Sequence, residues 1–486
     1  ATTWLSSLIF FQSCVLIGYV AAFAISRLSA PFQVGIVSII AVASAGVIHL
    51  PPLIPIGTAS IAGLLQGLSL SLLLPVSFLF MVGIILHEWL GVYRGSIPWY
   101  LYALSNLGSI LALIAYPFLI EPAFDLSLQS SVWHGLFVLL VVLVLVLAYF
   151  RLQLSSANFT AHTNIAPDSP LIARWGPLIW LSLAFLSCLL FMANTRELTA
   201  ELGSHPLAWV IPLALYLGSF SLTFSGFWSP LLNKLCGVLF SLAFTGYIFK
   251  QGLSVTGLDT LSILLLLFST GSGCAFLNGT LYRYRSQRAY ATVYIMIALG
   301  GCLAGLFSTI VAPFIFERNY ELYVAALIGI GLAGFVILPR RPLMQEACCG
   351  LFLLQSCWLL NRDLDVIQPQ EGKRNLTFLR TIYSQNILSV QPGRIAITSE
   401  ATLHGSEITV PGMERMPTTY YYEDSPVGML FEYLRTQDSA HALDVGIVGL
   451  GAGTLAHYGR KGDRFTFWDI DPLMLDIAQD FFSFIE

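Results

Sequence analysis

The chain has 486 residues, 56% hydrophobic and only 10% charged, with a formal net charge of -4 and a mean hydropathy of +0.76. Soluble domains carry about 25% charged residues, so this composition is that of a membrane protein. A net charge so small offers no electrostatic basis for a nucleic-acid partner.

In chain order, apolar runs long enough to cross a hydrocarbon layer of roughly 30 Å recur almost without pause. They lie near 4–26, 32–50, 61–87, 98–119, 130–150, 176–193, 207–226, 230–250, 259–281, 290–314 and 320–338. A twelfth, weaker run at 345–361 carries Glu346, Gln355 and Asn361. It is compatible with a short span, a re-entrant piece or an interfacial helix.

Cytoplasmic loops collect Lys and Arg. Arg27, Arg94, the pair Arg151 and Arg174, the trio Arg283, Arg285 and Arg288, and the pair Arg340 and Arg341 occupy alternate loops. The intervening loops hold Arg196, Lys250 and Arg318. Ala1 is therefore expected outside, with "RYRSQR" and "PRRP" in the cytoplasm. The run at 345–361 then decides the side of everything after it. A crossing carries the C-terminal part outside; an interfacial helix leaves it in the cytoplasm, where nucleotide-derived cofactors are found, and that is the expectation.

Polar groups in a bilayer are costly and are functional candidates by default. Gln12, Gln66, Asn106 and Asn278 read as interhelical hydrogen-bonding groups. His49 and the pair His87-Glu88 read as interfacial, and no membrane-embedded carboxylate stands out. Asn194-Thr195-Arg196-Glu197 with Glu201 reads as a solvated connector, its rival being a gate or substrate mouth. Gly300, Gly301 and Gly305 read as a smooth helix-packing face. The eight cysteines, Cys14, Cys188, Cys236, Cys274, Cys302, Cys348, Cys349 and Cys357, lie in or beside apolar runs and read as small buried residues. Cys348-Cys349 lacks a partner at zinc spacing, so no metal is expected.

Beyond residue 361 the chain turns polar. Short strands and hairpins with Gly/Pro turns are expected over about 374–422, then a helix over about 425–437. "DVGIVGL" reads as a buried strand that Gly449-Leu450-Gly451-Ala452-Gly453 turns into a helical "TLAHYGR". Glycines let backbone approach a ligand, and a helix N-terminus offers free N–H groups. A second strand, "RFTFWDI", ends at Asp469, where an acid binds ribose hydroxyls. Thr454 stands where a dinucleotide fold has its third glycine, which favours an S-adenosylmethionine-type site over NAD. Gly449, Gly451, Gly453 and Asp469 are thus the candidate cofactor positions. Only two strands of such a sheet are expected by Glu486, so the chain as given is expected not to close the pocket. His404, His441 and His457 read as surface or packing residues.

"VGIVGLGAGTLAHYGRKGDRFTFWDIDPLMLDIA", "YALSNLGSILALIAYPFLIEP", "PLAWVIPLALYLGSF", "GGCLAGLFSTIVAPFIF" and "TTYYYEDSPVG" together resemble bacterial membrane proteins that fuse a major-facilitator-like region to a spermidine-synthase-like domain. The resemblance implies a multi-span helical protein of 11–12 spans, then a small β-rich segment and an incomplete Rossmann-like α/β domain. It divides the chain into a transmembrane part at 1–361, with a central cytoplasmic loop near 152–174, a linker and β-rich part at 362–438, and the start of the Rossmann-like domain at 439–486. It implies decarboxylated S-adenosylmethionine or S-adenosylmethionine at the glycine loop and Asp469, and a catalytic Asp whose position lies beyond Glu486. Family members usually begin one span earlier, so the first run looks like their second. Where the family has a His-Gly pair followed by Gln, this chain reads "SEATLHGSE" with Ser399-Glu400 and Glu407, and a family His-x-Glu reads Asn278-Gly279-Thr280.

Three functions follow. One is a membrane-anchored transferase moving an aminopropyl or methyl group to a polyamine-like or amphiphilic acceptor in the bacterial inner membrane. The second is a non-catalytic subunit of a larger membrane complex, with a vestigial cofactor domain. The third is a transporter of polyamine-like cations.

Overall fold

The computed structural model describes residues 2–48, 61–94, 97–155, 169–202, 207–253, 260–337, 350, 375–381, 383–399, 402–437 and 442–485. Apart from Gly350, the weak run at 345–361 lies outside the described residues, as do His49, His441, Cys348, Cys349, Cys357, Arg340 and Arg341.

Each of the eleven strong apolar runs is a helix: α1 Thr2–Ser26, α2 Ala30–Val47, α3 Ile61–Arg94, α4 Tyr100–Ala115, α5 Leu126–Ser155, α6 Pro170–Leu202, α7 Leu207–Phe224, α8 Pro230–Leu253, α9 Thr260–Arg283, α10 Tyr290–Leu306 and α11 Tyr320–Ile337. In lipid a backbone satisfies its polar groups within its own helix, which is why apolar length translates into helix length. Eight of these helices are long and apolar enough to cross a membrane, and three shorter apolar helices, Phe10–Ser26, Trp209–Phe224 and Tyr320–Val336, stand beside them. The chain is a multi-pass membrane protein.

α4 and α10 each run into a π-helical turn, at Tyr116–Ile120 and Phe307–Val311. Pro117 and Pro313 cannot donate an N–H to the carbonyl four residues back. The turn widens instead, with Glu121 N–H on Tyr116 O and Ala312 N–H on Phe307 O.

α1 packs chiefly on α3 and also on α10, α4 packs on α7, and α6 touches α7, α9, α10 and α11. Gly300 makes a close seam: a Cβ there would stand 2.8 Å from both Ala184 Cβ and Leu181 O of α6. The smooth face expected at Gly300 is therefore a packing face. Rings fill the region between α1, α3, α4 and α10, where Tyr294 lies 5.2 Å from Tyr102, 5.4 Å from Trp99, 5.5 Å from His87 and 6.2 Å from Tyr19.

The polar region forms a small separate sheet unit. β1 Asn375–Arg380, β2 Gln385–Gln391, β3 Arg394–Ser399 and β4 Thr402–Ile408 make an antiparallel meander in that order. α12 Pro426–Gln437 follows. β5 Asp444–Val448 and β6 Arg464–Trp468 pair in parallel, and α13 Leu473–Phe481 closes the unit. Leu388 and Ile397 of the meander share a core with Ala452 of the glycine loop and with Met474, Ile477, Phe482 and Phe484.

Candidate functional site

The loop between β5 and β6 needs glycine for its backbone. Gly449, Gly451 and Gly453 have φ of +93°, +55° and +78°, a region that other L-residues rarely adopt. At Gly449 a Cβ would meet nothing within 4 Å, whereas at Gly453 it would stand 2.7 Å from Ile485 Cγ2. The meander presses on the other side of the loop, for Gly405 of β4 lies where a Cβ would come 2.5 Å from Ala452 Cβ.

The structure brings all four candidate residues together at the carboxyl ends of β5 and β6. Asp469 Oδ2 accepts the Leu450 N–H at 2.7 Å, and its Oδ1 accepts the Asp471 N–H at 2.9 Å. Gly449 N–H donates to Trp468 O at 2.7 Å, and Gly453 N–H to Leu450 O at 2.9 Å. The carboxylate and these three loop amides are thus engaged with the protein itself. "TLAHYGR" is not the expected α-helix: Thr454–Tyr458 is a five-residue 3-10 helix, and Gly459 leaves it in an extended conformation. Five residues closed by a Gly459–Gly462 turn are too short for the stacked amides of a helix N-terminus.

A cleft of about 710 Å³ opens beside β6, bounded by Leu450, Asp469, Asp471, Phe465, Phe467 and Phe484 among others. Two buried carboxylates next to it escaped the sequence reading as structural groups. Asp471 Oδ2 accepts from Thr381 Oγ1 at 2.6 Å and Ser384 Oγ at 2.7 Å, while its Oδ1 takes the Leu473 N–H at 3.2 Å. Glu407 accepts the Ser483 N–H at 2.8 Å and the Ser483 hydroxyl at 2.5 Å. Both carboxylate oxygens of Glu407 are thus used by Ser483.

Asp463 closes the turn before β6, taking the Leu443 and Arg460 N–H groups at 2.7 Å each and pairing closely with Arg435. The Arg435 bond, with the two backbone N–H groups, holds its carboxyl well below the usual range. His404 stands 3.5 Å from the Tyr420 hydroxyl through Nδ1, and burial lowers its pKa. His457 lies edge-on to Tyr458.

In the bundle, Asn278 Nδ2 donates to Ser219 Oγ at 2.8 Å across α9 and α7, the expected interhelical bond. Asn106 Nδ2 turns back to Tyr102 O of its own helix. Glu88 of α3 is buried in the protein near the loop between α1 and α2, accepting from Gln33 Nε2 at 3.1 Å, while the same Nε2 donates to Leu28 O at 3.0 Å. One reading needs correction. Arg196 and Glu197 belong to α6 and not to a solvated connector. Arg196 Nη1 bonds Glu321 at 3.1 Å, and Glu197 takes Tyr247 O–H at 2.9 Å and Asn319 Nδ2 at 3.0 Å. Carboxylates buried within the helices therefore do exist, each engaged by the protein. The signal available was Glu321 itself, the single acid in the apolar run 320–338. The described cysteines are free, with Cys14, Cys188 and Cys274 buried and Cys236 and Cys302 half-buried.

No family model matches the chain, and no curated protein matches it.

Proposed function

We propose that the protein is a non-catalytic subunit of a larger assembly in a bacterial cytoplasmic membrane, built on a major-facilitator-like bundle and a spermidine-synthase-like domain whose cradle has become a structural joint. The observation that carries this reading is the bare face of the β5–β6 pair. Val448 is 91% exposed and its ladder partner Trp468 is 57% exposed, with Ile470 exposed beside them. Parallel strands are almost always covered on both faces, and a contiguous apolar patch outside the bilayer marks an interaction surface. On the opposite face Phe465 stacks on Phe431 of α12. The bonds from Leu450 N–H and Asp471 N–H to Asp469 and the close approach of Ile485 to Gly453 support the same reading, since both tie the loop into the fold. The ring-filled region around Tyr294 argues against a cation transporter.

The assembly reading is tested by native mass spectrometry after mild solubilisation. The expected mass exceeds that of the 53.3 kDa chain and falls to it in the double variant Val448→Asp, Trp468→Asp. An equal mass for both proteins overturns it.

One observation favours the transferase as a second reading: the cleft beside Asp469 is large enough for a nucleoside, since small-molecule pockets span roughly 300–1,000 Å³. Calorimetry with decarboxylated S-adenosylmethionine and with S-adenosylmethionine separates the two. Binding heat that Asp469→Ala abolishes would establish the transferase site; no heat with either removes it.

A further inference from the structure

The sheet unit is fastened to one particular end of the bundle. Glu321, fully buried at the start of α11, accepts from Arg380 Nη2 at 2.6 Å and Nη1 at 3.0 Å, and from Arg196 at 3.1 Å. Arg380 closes β1, its side chain is 2% exposed, and it also donates to Arg318 O at 2.6 Å. The Arg318 guanidinium in turn lies 3.4 Å from the centroid of the Phe378 ring of β1. A buried charge is tolerated only where its partners are held in place. This joint therefore fixes β1 against the ends of α6 and α11.

The identity of that end follows from charge. The joint end holds the basic residues Arg196, Lys250 and Arg318, together with Glu121, Glu197, Glu317 and Glu321. The opposite end gathers Arg27, Arg174, Lys234, Arg283, Arg285 and Arg288, at the end of α1, the starts of α6 and α8, and the end of α9. The backbone N–H of Ile97 on Gln287 Oε1 at 3.2 Å ties the loops of that basic end together. α11 spans 18 residues, about 27 Å at 1.5 Å per residue, and separates Tyr320 at the joint from Ile337 at the basic end.

Basic residues stay in the cytoplasm, so we infer that the sheet unit is docked on the non-cytoplasmic face of the membrane. The cytoplasmic placement expected from an interfacial run at 345–361 is reversed. The cleft beside Asp469 then opens to a compartment outside the cytoplasmic nucleotide pool. This inference does not rest on the assembly reading, because a ligand-binding unit would be held by the same joint.

Labelling of the full chain in cells with a membrane-impermeant maleimide tests it, the unsubstituted protein giving the background of the natural cysteines. Tyr433→Cys sits on α12 and Phe227→Cys between α7 and α8 at the basic end; the native side chains are 59% and 89% exposed. Tyr433→Cys is expected to label equally before and after permeabilisation, and Phe227→Cys only after it. The reversed pattern, labelling of both in intact cells, or protection of both until permeabilisation each overturns the inference.

Discussion

α4 and α10 carry the same device, a proline that widens a π turn near the end of a long apolar helix, yet they end in different surroundings. Within the α10 span Tyr290–Ile315 an 18-residue stretch is 33% buried; within the α4 span Tyr100–Ala123 the corresponding share is 11%. With α1–α5 as one half of the bundle and α6–α11 as the other, both reach across, α10 to α1 and α4 to α7. What differs is support within their own half. α10 lies along α6, which also touches α7, α9 and α11, and among the described helices none plays that part for α4. A shared local sequence thus makes the helix in both places, while a neighbour of the right shape decides how much of it is buried. Without a hydrophobic drive between helices in lipid, that neighbour contributes through close packing.

Overfilling one helix of each kind separates the two most strongly. Gly300→Leu would place atoms inside the backbone and side chains of α6, and such overpacking costs from about 1–3 kcal/mol upward. Loss of the monodisperse peak in detergent chromatography is expected. Gly108→Leu in α4, where a Cβ meets nothing within 4 Å, is expected to leave that peak unchanged. If both variants behave alike, the asymmetry between the halves is not energetic.

Emptying a site gives a smaller contrast. Phe240 is fully buried in α8. Because lipid is as apolar as the bundle interior, Phe240→Ala should lose mainly the cavity term, about 2 kcal/mol for roughly 100 Å³ left unfilled. Leu111 of α4 is 61% exposed, so Leu111→Ala should shift thermal unfolding in detergent little. Smaller again, Asn278→Ala removes the bond to Ser219 and is expected to cost about 0.6 kcal/mol, the average for such interhelical bonds, seen as a slightly lower unfolding midpoint.

In the sheet unit charge takes the place of packing. Asp463 has a folded pKa below its unfolded value. Its contribution is therefore fully present above the unfolded value of about 3.9 and is lost as pH falls through the folded one. Stability of the unit, read by hydrogen exchange, should be insensitive to this group from pH 7 to about pH 5 and decline below about pH 4. Asp463→Asn should lower the plateau and shrink the acid decline; an unchanged acid limb would remove Asp463 from the account.

Helix positions were legible because helical hydrogen bonds are local and apolar length reports them. The four antiparallel strands, α12 and the two parallel strands were legible from alternation and turn residues. The tight glycine loop and the strand-end position of Asp469 were legible, but their hydrogen-bond partners were not. Leu450 N–H lies nineteen residues before Asp469, and nothing in the spacing says that an acid will bind its own loop. The 3-10 helix at Thr454–Tyr458 was hidden for a related reason, since five residues carry no period long enough to separate one helix from another.

By itself, then, the sequence determined that this is a multi-pass membrane protein with a small polar unit beyond it, since solvent sorting acts on each residue as it stands. The tertiary structure alone decided the pairing of Arg380 with Glu321, 59 residues apart, and the engagement of Asp469 by its own loop. Charge–charge and acceptor–donor contacts depend on three-dimensional approach, and no periodicity along the chain encodes which distant groups will meet.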